Sequence, residues 1–374
     1  MKRRVRLSPT VLACCATIAL ITPMLAGARY YGHVVGSVYT MTNAVSGNQV
    51  LVFDRRADGS LSPRRSFHTG GTGSGGGLGN QGALALSGSG QWLLAVNPGS
   101  DSVSVFFVFG NYLLRTDTKH SGGDQPVSVT IEDDTVYVLN AGSDELQGFR
   151  LSIYGQLTPI AQSRRALSGD GTAAAQVEFS RAGDLLAVTE KATSKVLTFA
   201  VDGNGRLGPA KVQASPTPTP FGFAFGRRDL LLVSEADGGA AGASTLSSYQ
   251  LRANGQADVV TAALPSGQTA ACWVVVTRNG RYAYVSNTGS GNLSTYSVAF
   301  DGTLGLLDAT AAGTGAGSTP TDMALDRNSR HLYALSPATG SISVFSVAAN
   351  GALQLVEHQA SSGITAAATG LVAR

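Results

Sequence analysis

The stretch Ala271–Asp308 reads "ACWVVVTRNGRYAYVSNTGSGNLSTYSVAFDGTLGLLD", and the same phrase returns at Thr319–Glu357 as "TPTDMALDRNSRHLYALSPATGSISVFSVAANGALQLVE". Each copy runs apolar strand, Gly- or Asn-containing turn, a second strand ending in a polar residue, a polar turn, an alternating third strand, and a Gly-x-Leu corner leading to an outer strand. Four short strands in a unit that recurs at fixed spacing predict a β-propeller. The corner serves as a ruler. Its landmarks are Leu61, Leu113, Leu157, Leu207, Ala257, Leu304 and Leu353, spaced by 52, 44, 50, 50, 47 and 49 residues. Seven units follow. The sequence therefore predicts an all-β, seven-bladed β-propeller with four antiparallel strands per blade.

The ends of the chain predict how the ring closes. Blade 1 opens on "GSVYTMTN", a second-strand phrase with no innermost strand before it. The closing segment "ITAAATGLVA", from Ile364 to Ala373, has no second strand behind it. The two termini are expected to share blade 1, which leaves no open edge between first and last sheet.

Residues 1–28 read as a secretory signal peptide: a basic start at Met1–Arg6, an apolar run from Leu7 to Leu25, and the small-x-small site Ala26-Gly27-Ala28. Pro9 and Pro23 shorten the apolar run for a membrane span. Residues 29–374 then form the propeller, with a secreted or periplasmic location and no stable membrane insertion once the signal is cleaved. The segment holds four of the 27 basic residues and none of the 24 acidic ones, so 23 basic groups face 24 acidic ones in the remainder, a formal charge of −1. No Lys/Arg run is left to track a phosphate backbone, and nucleic acid is not expected as a partner. Cys272 is the one cysteine outside the signal, so no internal disulfide is expected. A monomer is the simplest expectation.

Propeller geometry gathers polar residues that no linear motif joins. The second strands end in Asn43, Asn97, Asn140, Glu190, Glu235, Asn287 and Ser336, one per blade. If these ends face one mouth of the central channel, Asn97, Asn140 and Asn287 could bind a small polar ligand there, although Asn also closes such turns on its own backbone. Glu190 and Glu235 replace the Asn in adjacent blades. Either they form an acid/base pair or hold a hard cation, or they are two solvated acids, with Lys191 screening the first. His120, placed in the connector before blade 3, is the one histidine that could reach that mouth and assist Glu190; the alternative is a surface-loop histidine. Trp273 opens an innermost strand beside the channel, as core packing or as a stacking platform. No His/Cys triplet suggests zinc, no Gly-x-Ser-x-Gly elbow suggests a serine hydrolase, and no cofactor is expected. The glycine-rich stretch Thr69–Gln81 contains Gly71-x-Gly73-x-x-Gly76, but a propeller strand rather than a helix follows it. It is expected to be a mobile connector over the channel mouth.

The phrases "VYVLNAGSDELQGF", "FSRAGDLLAVTEKATSKVLTFAVDGNGRL" and "GRYAYVSNTGSGNLSTYSV" resemble the lactonase family of seven-bladed propellers, which includes the propeller-type 6-phosphogluconolactonase and carboxymuconate cyclase. "TPFGFAF" and "ACWVVVT" are similar to a secreted bacterial subgroup of it. The resemblance implies a lactone hydrolase or cyclase acting on a small molecule at the central channel, with Glu190 in the place of the family's acidic residue. The family's Arg-His pair falls on Ala175 and Gln176, its His-x-His phrase near Pro126 and Ser128, and its Asn-Arg-Gly phrase on Asn287-Thr288-Gly289. Those departures favour the alternative of a non-catalytic exported binding or scaffold propeller.

Overall fold

The Gly-x-Leu corners lock neighbouring blades together. The leucine turns inward at the start of an outer strand, and Leu61, Leu113, Leu157, Leu207 and Leu304 are all buried. The glycine does something different. Gly205 and Gly351 adopt φ of 73° and 85°, a region that costs an L-residue with a Cβ. A Cβ on Gly351 would lie 2.5 Å from the Tyr282 ring, and one on Gly205 would lie 2.9 Å from the Thr135 methyl, each in the preceding blade. The carbonyls of the same glycines accept hydrogen bonds from Tyr284 Oη at 2.9 Å and Tyr137 Oη at 2.7 Å. The tyrosine of the repeated second-strand phrase and the glycine of the corner are thus two halves of one inter-blade contact.

A computed structural model of the chain describes residues 32–374. The segment read as a signal peptide, with its cleavage site at Ala28, lies outside the described residues. From His33 onward the strands form seven separate antiparallel sheets. Six have four strands. In blade 3 the outer strand is split into Leu157–Pro159 and Arg165–Ala166, both paired with Glu145–Leu151. The innermost strands are Thr369–Ala373, Leu84–Leu86, Pro126–Glu132, Ala174–Phe179, Pro220–Phe225, Ala271–Val276 and Asp322–Leu325. Each contacts the next in that order, and the last contacts the first, so they enclose a central channel.

Ring closure follows the predicted route. Thr369–Ala373 pairs antiparallel with Val34–Met41, in the register Val38 with Ala373 and Thr40 with Leu371. The strand is shorter than the whole "ITAAATGLVA" segment. Its first half is a turn that delivers Ile364 and Ala368 to the core between blades 1 and 7, against Phe53, Tyr333 and Ile342.

An innermost strand presents one unpaired edge to its neighbour, and side chains satisfy it. The Gln176 amide accepts from Phe223 N at 2.7 Å and donates to Phe223 O at 2.9 Å. Ser128 Oγ accepts from Val177 N at 3.1 Å, and Ser234 Oγ donates to Cys272 O at 2.7 Å. These bonds run along the channel wall and hold the strands that carry the site.

Candidate functional site

The residues at the second-strand ends are placed inside the blades rather than on an open mouth. Asn97, Asn140, Asn287, Glu190 and Glu235 are all fully buried. Asn97 Nδ2 donates to Ser102 Oγ at 3.2 Å and Ser104 Oγ at 2.8 Å, and Asn287 Nδ2 donates to Asn292 Oδ1 and Ser294 Oγ, both at 2.8 Å. Asn140 Nδ2 reaches back to Ser121 O at 3.3 Å. These asparagines tie the second strand to the third strand or to the incoming connector.

The two glutamates occupy separate networks. Glu190 accepts from Ser168 N at 2.9 Å, Ser168 Oγ at 2.5 Å and Thr193 Oγ1 at 2.5 Å, anchoring the connector into blade 4. Glu235 accepts from Thr245 Oγ1 at 2.6 Å and Ser215 Oγ at 3.4 Å. Neither is solvated, and Lys191 does not screen Glu190. Its Nζ instead lies 4.8 Å from the Phe221 ring centre and donates to Gly79 O. His120 lies at the surface, as its alternative reading had it, but on a strand rather than in a connector. It is the last residue of the outer strand Tyr112–His120, exposed on the rim, where Nδ1 accepts from Gly122 N at 3.0 Å. Trp273 is buried and tilted against Phe221 at a centroid distance of 5.2 Å, with Nε1 unpartnered. Among the described residues no three His, Cys, Asp or Glu side chains gather as a metal site requires.

The glycine-rich connector is pinned rather than free. Asn43 holds it through Ser74 Oγ at 2.9 Å and Gly76 O at 2.7 Å. Asn80 Nδ2 donates to Val127 O in blade 3. The Gln81 amide pairs with Val274 in blade 6, accepting from its N at 3.3 Å and donating to its O at 3.1 Å. Asn80 and Gln81 therefore span the channel at the end where the innermost strands begin. The glycines permit this close crossing; Gly73 leaves no room for a Cβ, which would lie 2.0 Å from the Asn43 carbonyl carbon.

Below this crossing lies a cavity of about 320 Å³, lined in part by Gln81, Thr130, Gln176, Glu178, Arg181 and Asp322. Gln176 and Glu178 are two apart on one strand, so the pleat puts both on the same face, and Gln176 Nε2 donates to Glu178 Oε2 at 2.8 Å. Burial pushes the Glu178 carboxyl up to about 8, against the opposing pull of the Arg181 guanidinium and of Gln176. Glu178 is half-buried and faces this cavity. Asp322, on the innermost strand of blade 7, is 2% exposed. Its Oδ1 accepts from Met323 N at 2.8 Å, while Oδ2 has no partner at hydrogen-bonding geometry. Burial raises this carboxyl well above the usual range, although the nearby Met323, Leu371 and Gly370 amides favour its anion.

The sequence reading missed this set. Its signal was two polar residues on one face of the innermost strand "AQVEF", a pattern that core packing alone does not require. Two carboxyl groups of raised proton affinity and one guanidinium around one cavity can transfer protons and stabilise negative charge.

Glu235 gives a separate expected result. Burial raises its carboxyl to about 7, opposed by bonds from Ser247, Thr245, Ser215 and Thr217. The folded state then keeps a proton that the unfolded chain releases from about pH 4.5 upward, so stability falls as pH rises to about 7. Through this group the unfolding free energy should drop by ~2–3 kcal/mol between about pH 5 and pH 8. Urea unfolding of wild type and Glu235→Gln at both pH values should show the variant gaining by that amount at the higher one. An equal difference at both would remove Glu235 as a titrating group.

The model of the family described as "Lactonase, 7-bladed beta-propeller" matches residues 38–170 and 245–367, more than half of the chain. The intervening residues 171–244, which carry Glu178, Arg181, Glu190 and Glu235, lie outside the match. No curated protein matches the chain in sequence. Among solved structures, a Bacteroides fragilis protein provisionally named a 6-phosphogluconolactonase superposes with a TM-score of 0.71 at 17% identity, over 89% of this chain and 97% of that one. The periplasmic gluconolactonase of Pseudomonas aeruginosa gives 0.70 at 17% identity, over 90% and 98%. A Lactobacillus plantarum protein gives 0.70 at 17%, over 91% and 99%. At these identities the structural likeness is one of fold. Four-stranded blades, a closed ring of seven and the family match lead to one conclusion: the chain belongs to the lactonase family of seven-bladed β-propellers.

Proposed function

We propose that this protein is an exported lactone-acting enzyme whose reaction runs in the central channel, with Glu178 as the proton-transferring carboxyl. The observation that carries this reading is the Glu178 carboxyl, raised to about 8 inside the cavity and set against Arg181. A proton affinity close to the working pH is what a general acid–base group needs. The cavity of about 320 Å³ falls at the small end of ligand sites, the size of a single sugar-like ring. Export is supported by the signal-like residues 1–28 and by the periplasmic setting of one structural neighbour.

In hydrolysis, the Glu178 carboxylate takes a proton from a water whose oxygen adds to the lactone acyl carbon. The ring C–O bond then breaks, and the proton on Glu178 passes to the departing ring oxygen. Arg181 lines the same cavity and is the cation available to the negative charge that develops on the acyl oxygen. Cyclisation is the same path reversed.

The base form of Glu178 sets the pH dependence. Below its titration the carboxyl is protonated and cannot accept from water. With neutral and carboxylated lactones offered to the full chain, and spontaneous opening subtracted, the rate should rise roughly tenfold per pH unit below about 8 and level off above it. A rate that is flat from acid to neutral pH would contradict Glu178 as the base. Saturable lactone binding without turnover at any pH would leave a binding propeller.

A further inference from the structure

At the other end of the innermost strands, the turns into the second strands carry arginine at one position in successive blades: Arg181, Arg227 and Arg278, each one repeat from the next. No contiguous basic run marks them in the sequence, but folding lays these turns side by side. A cavity of about 580 Å³ is lined by all three, together with Thr277, Asn279 and Ser329, and has no aspartate or glutamate in its walls. An adjoining cavity of about 420 Å³ shares Arg227 and Asn279 and adds Arg228 and Arg281, again without an acid. Together they form one groove holding five guanidinium groups.

Four of these five charges are uncompensated; Arg181 alone faces a carboxyl, that of Glu178. Arg55, Arg64, Arg150, Arg164 and Arg252 all have carboxylate partners, but among the described residues Arg227, Arg228, Arg278 and Arg281 form no ion pair. Arg228 is held over the Phe300 ring at 3.4 Å. The Arg227 stem lies against Gly280, where a Cβ would fall 2.7 Å from its Cγ. Arg181 is braced by donating from Nε to Phe225 O at 3.2 Å and from Nη1 to Arg278 O at 3.3 Å. Burial, and then the like charges of Arg227 and Arg278, lower its proton affinity, while Glu178 raises it. Asp229, beside Arg228 in sequence, is not held by the arginines; burial and Asp184 raise its carboxyl.

Like charges gathered on fixed turns without counter-charges repel, and an anion that bridges them relieves the repulsion. We infer that this groove is a binding site for a small oxyanion carrying at least two negative groups, phosphate or carboxylate, with Arg227 and Arg278 as its main ligands. The inference does not depend on any reaction in the channel. Planar guanidinium forks suit both oxyanions, and the spread of five of them over two joined cavities favours a ligand with separated charges over a single phosphate.

The test is isothermal titration of the full chain at low ionic strength with three probes: pyrophosphate, citrate and inorganic phosphate. Pyrophosphate or citrate should saturate one site, bind more tightly than inorganic phosphate, and weaken as salt is added. Which of the two binds better identifies phosphate or carboxylate as the natural group. The double change Arg227→Gln/Arg278→Gln should weaken binding at least about tenfold. Both side chains are exposed and make no hydrogen bond or ion pair among the described residues, so the double variant's thermal unfolding midpoint should match wild type. Arg64→Gln, on the outer strand of blade 1, should bind as wild type does. No saturable binding of pyrophosphate or citrate, or unchanged binding by the double variant, would overturn the inference.

Discussion

Deleting residues 364–374 should abolish the cooperative fold, although it removes only the last few residues of the chain. The segment supplies the whole innermost strand of blade 1 and its four-pair register with Val34–Met41. It also buries Ile364, Ala368 and Leu371 between blades 1 and 7. Two large aliphatic side chains contribute ~1.5–3 kcal/mol each by burial alone. Their loss would also expose the edge of Val34–Met41 and end the exchange between Arg374 and Ser37, whose bonds are 2.8 and 3.2 Å long. Arg55 Nε would lose the Arg374 carbonyl, at 3.1 Å. The total exceeds ~5 kcal/mol, comparable with the whole stability of an ordinary domain. Circular dichroism melting and limited proteolysis should find no sharp transition and rapid cleavage. A truncated chain that melts within a few degrees of wild type would show that the ring does not depend on this closure.

The repeat made the fold legible because propeller strands, turns and corners are local backbone patterns. Gly205, Tyr137 and their counterparts recur where the chain must turn and where blades must meet, so spacing alone gave seven units. The shared blade 1 was readable as a missing phrase at one end and a surplus one at the other. The site was not readable in the same way. Asn97, Glu190 and Glu235 share a repeat position that points into the blade, where a polar group closes a hairpin or holds a connector. A period-two pattern says which residues share a face but not which face meets the channel. That ambiguity hid Gln176 and Glu178. The arginines escaped for another reason: Arg181, Arg227 and Arg278 are a full repeat apart, and only the ring brings them together. The glycines of Thr69–Gln81 suggest a mobile connector, yet they let Asn80 and Gln81 cross the channel and bond to its walls.

The second large effect concerns the channel. Glu178→Gln keeps the shape of the side chain and can retain the contact with Gln176 through its oxygen, but it cannot accept a proton from water. Turnover of a lactone substrate should fall roughly 10²-fold or more, with substrate affinity changed only a few fold. Burial opposes the charged form of Glu178, so the neutral amide should fold as well as wild type and should lose the rise in stability that acidification gives the acid. A damaged fold would not account for the loss. Glu190→Gln is the natural comparison, because Glu190 accepts three bonds inside blade 4 and lines no cavity described above. Its effect should appear in stability rather than in the chemical step. The most direct test of the channel assignment is therefore single-turnover hydrolysis at saturating lactone by wild type and Glu178→Gln, followed by acid release. A rate constant lower by about 10²-fold is expected for the variant; equal rate constants would contradict Glu178 as the proton-transferring group.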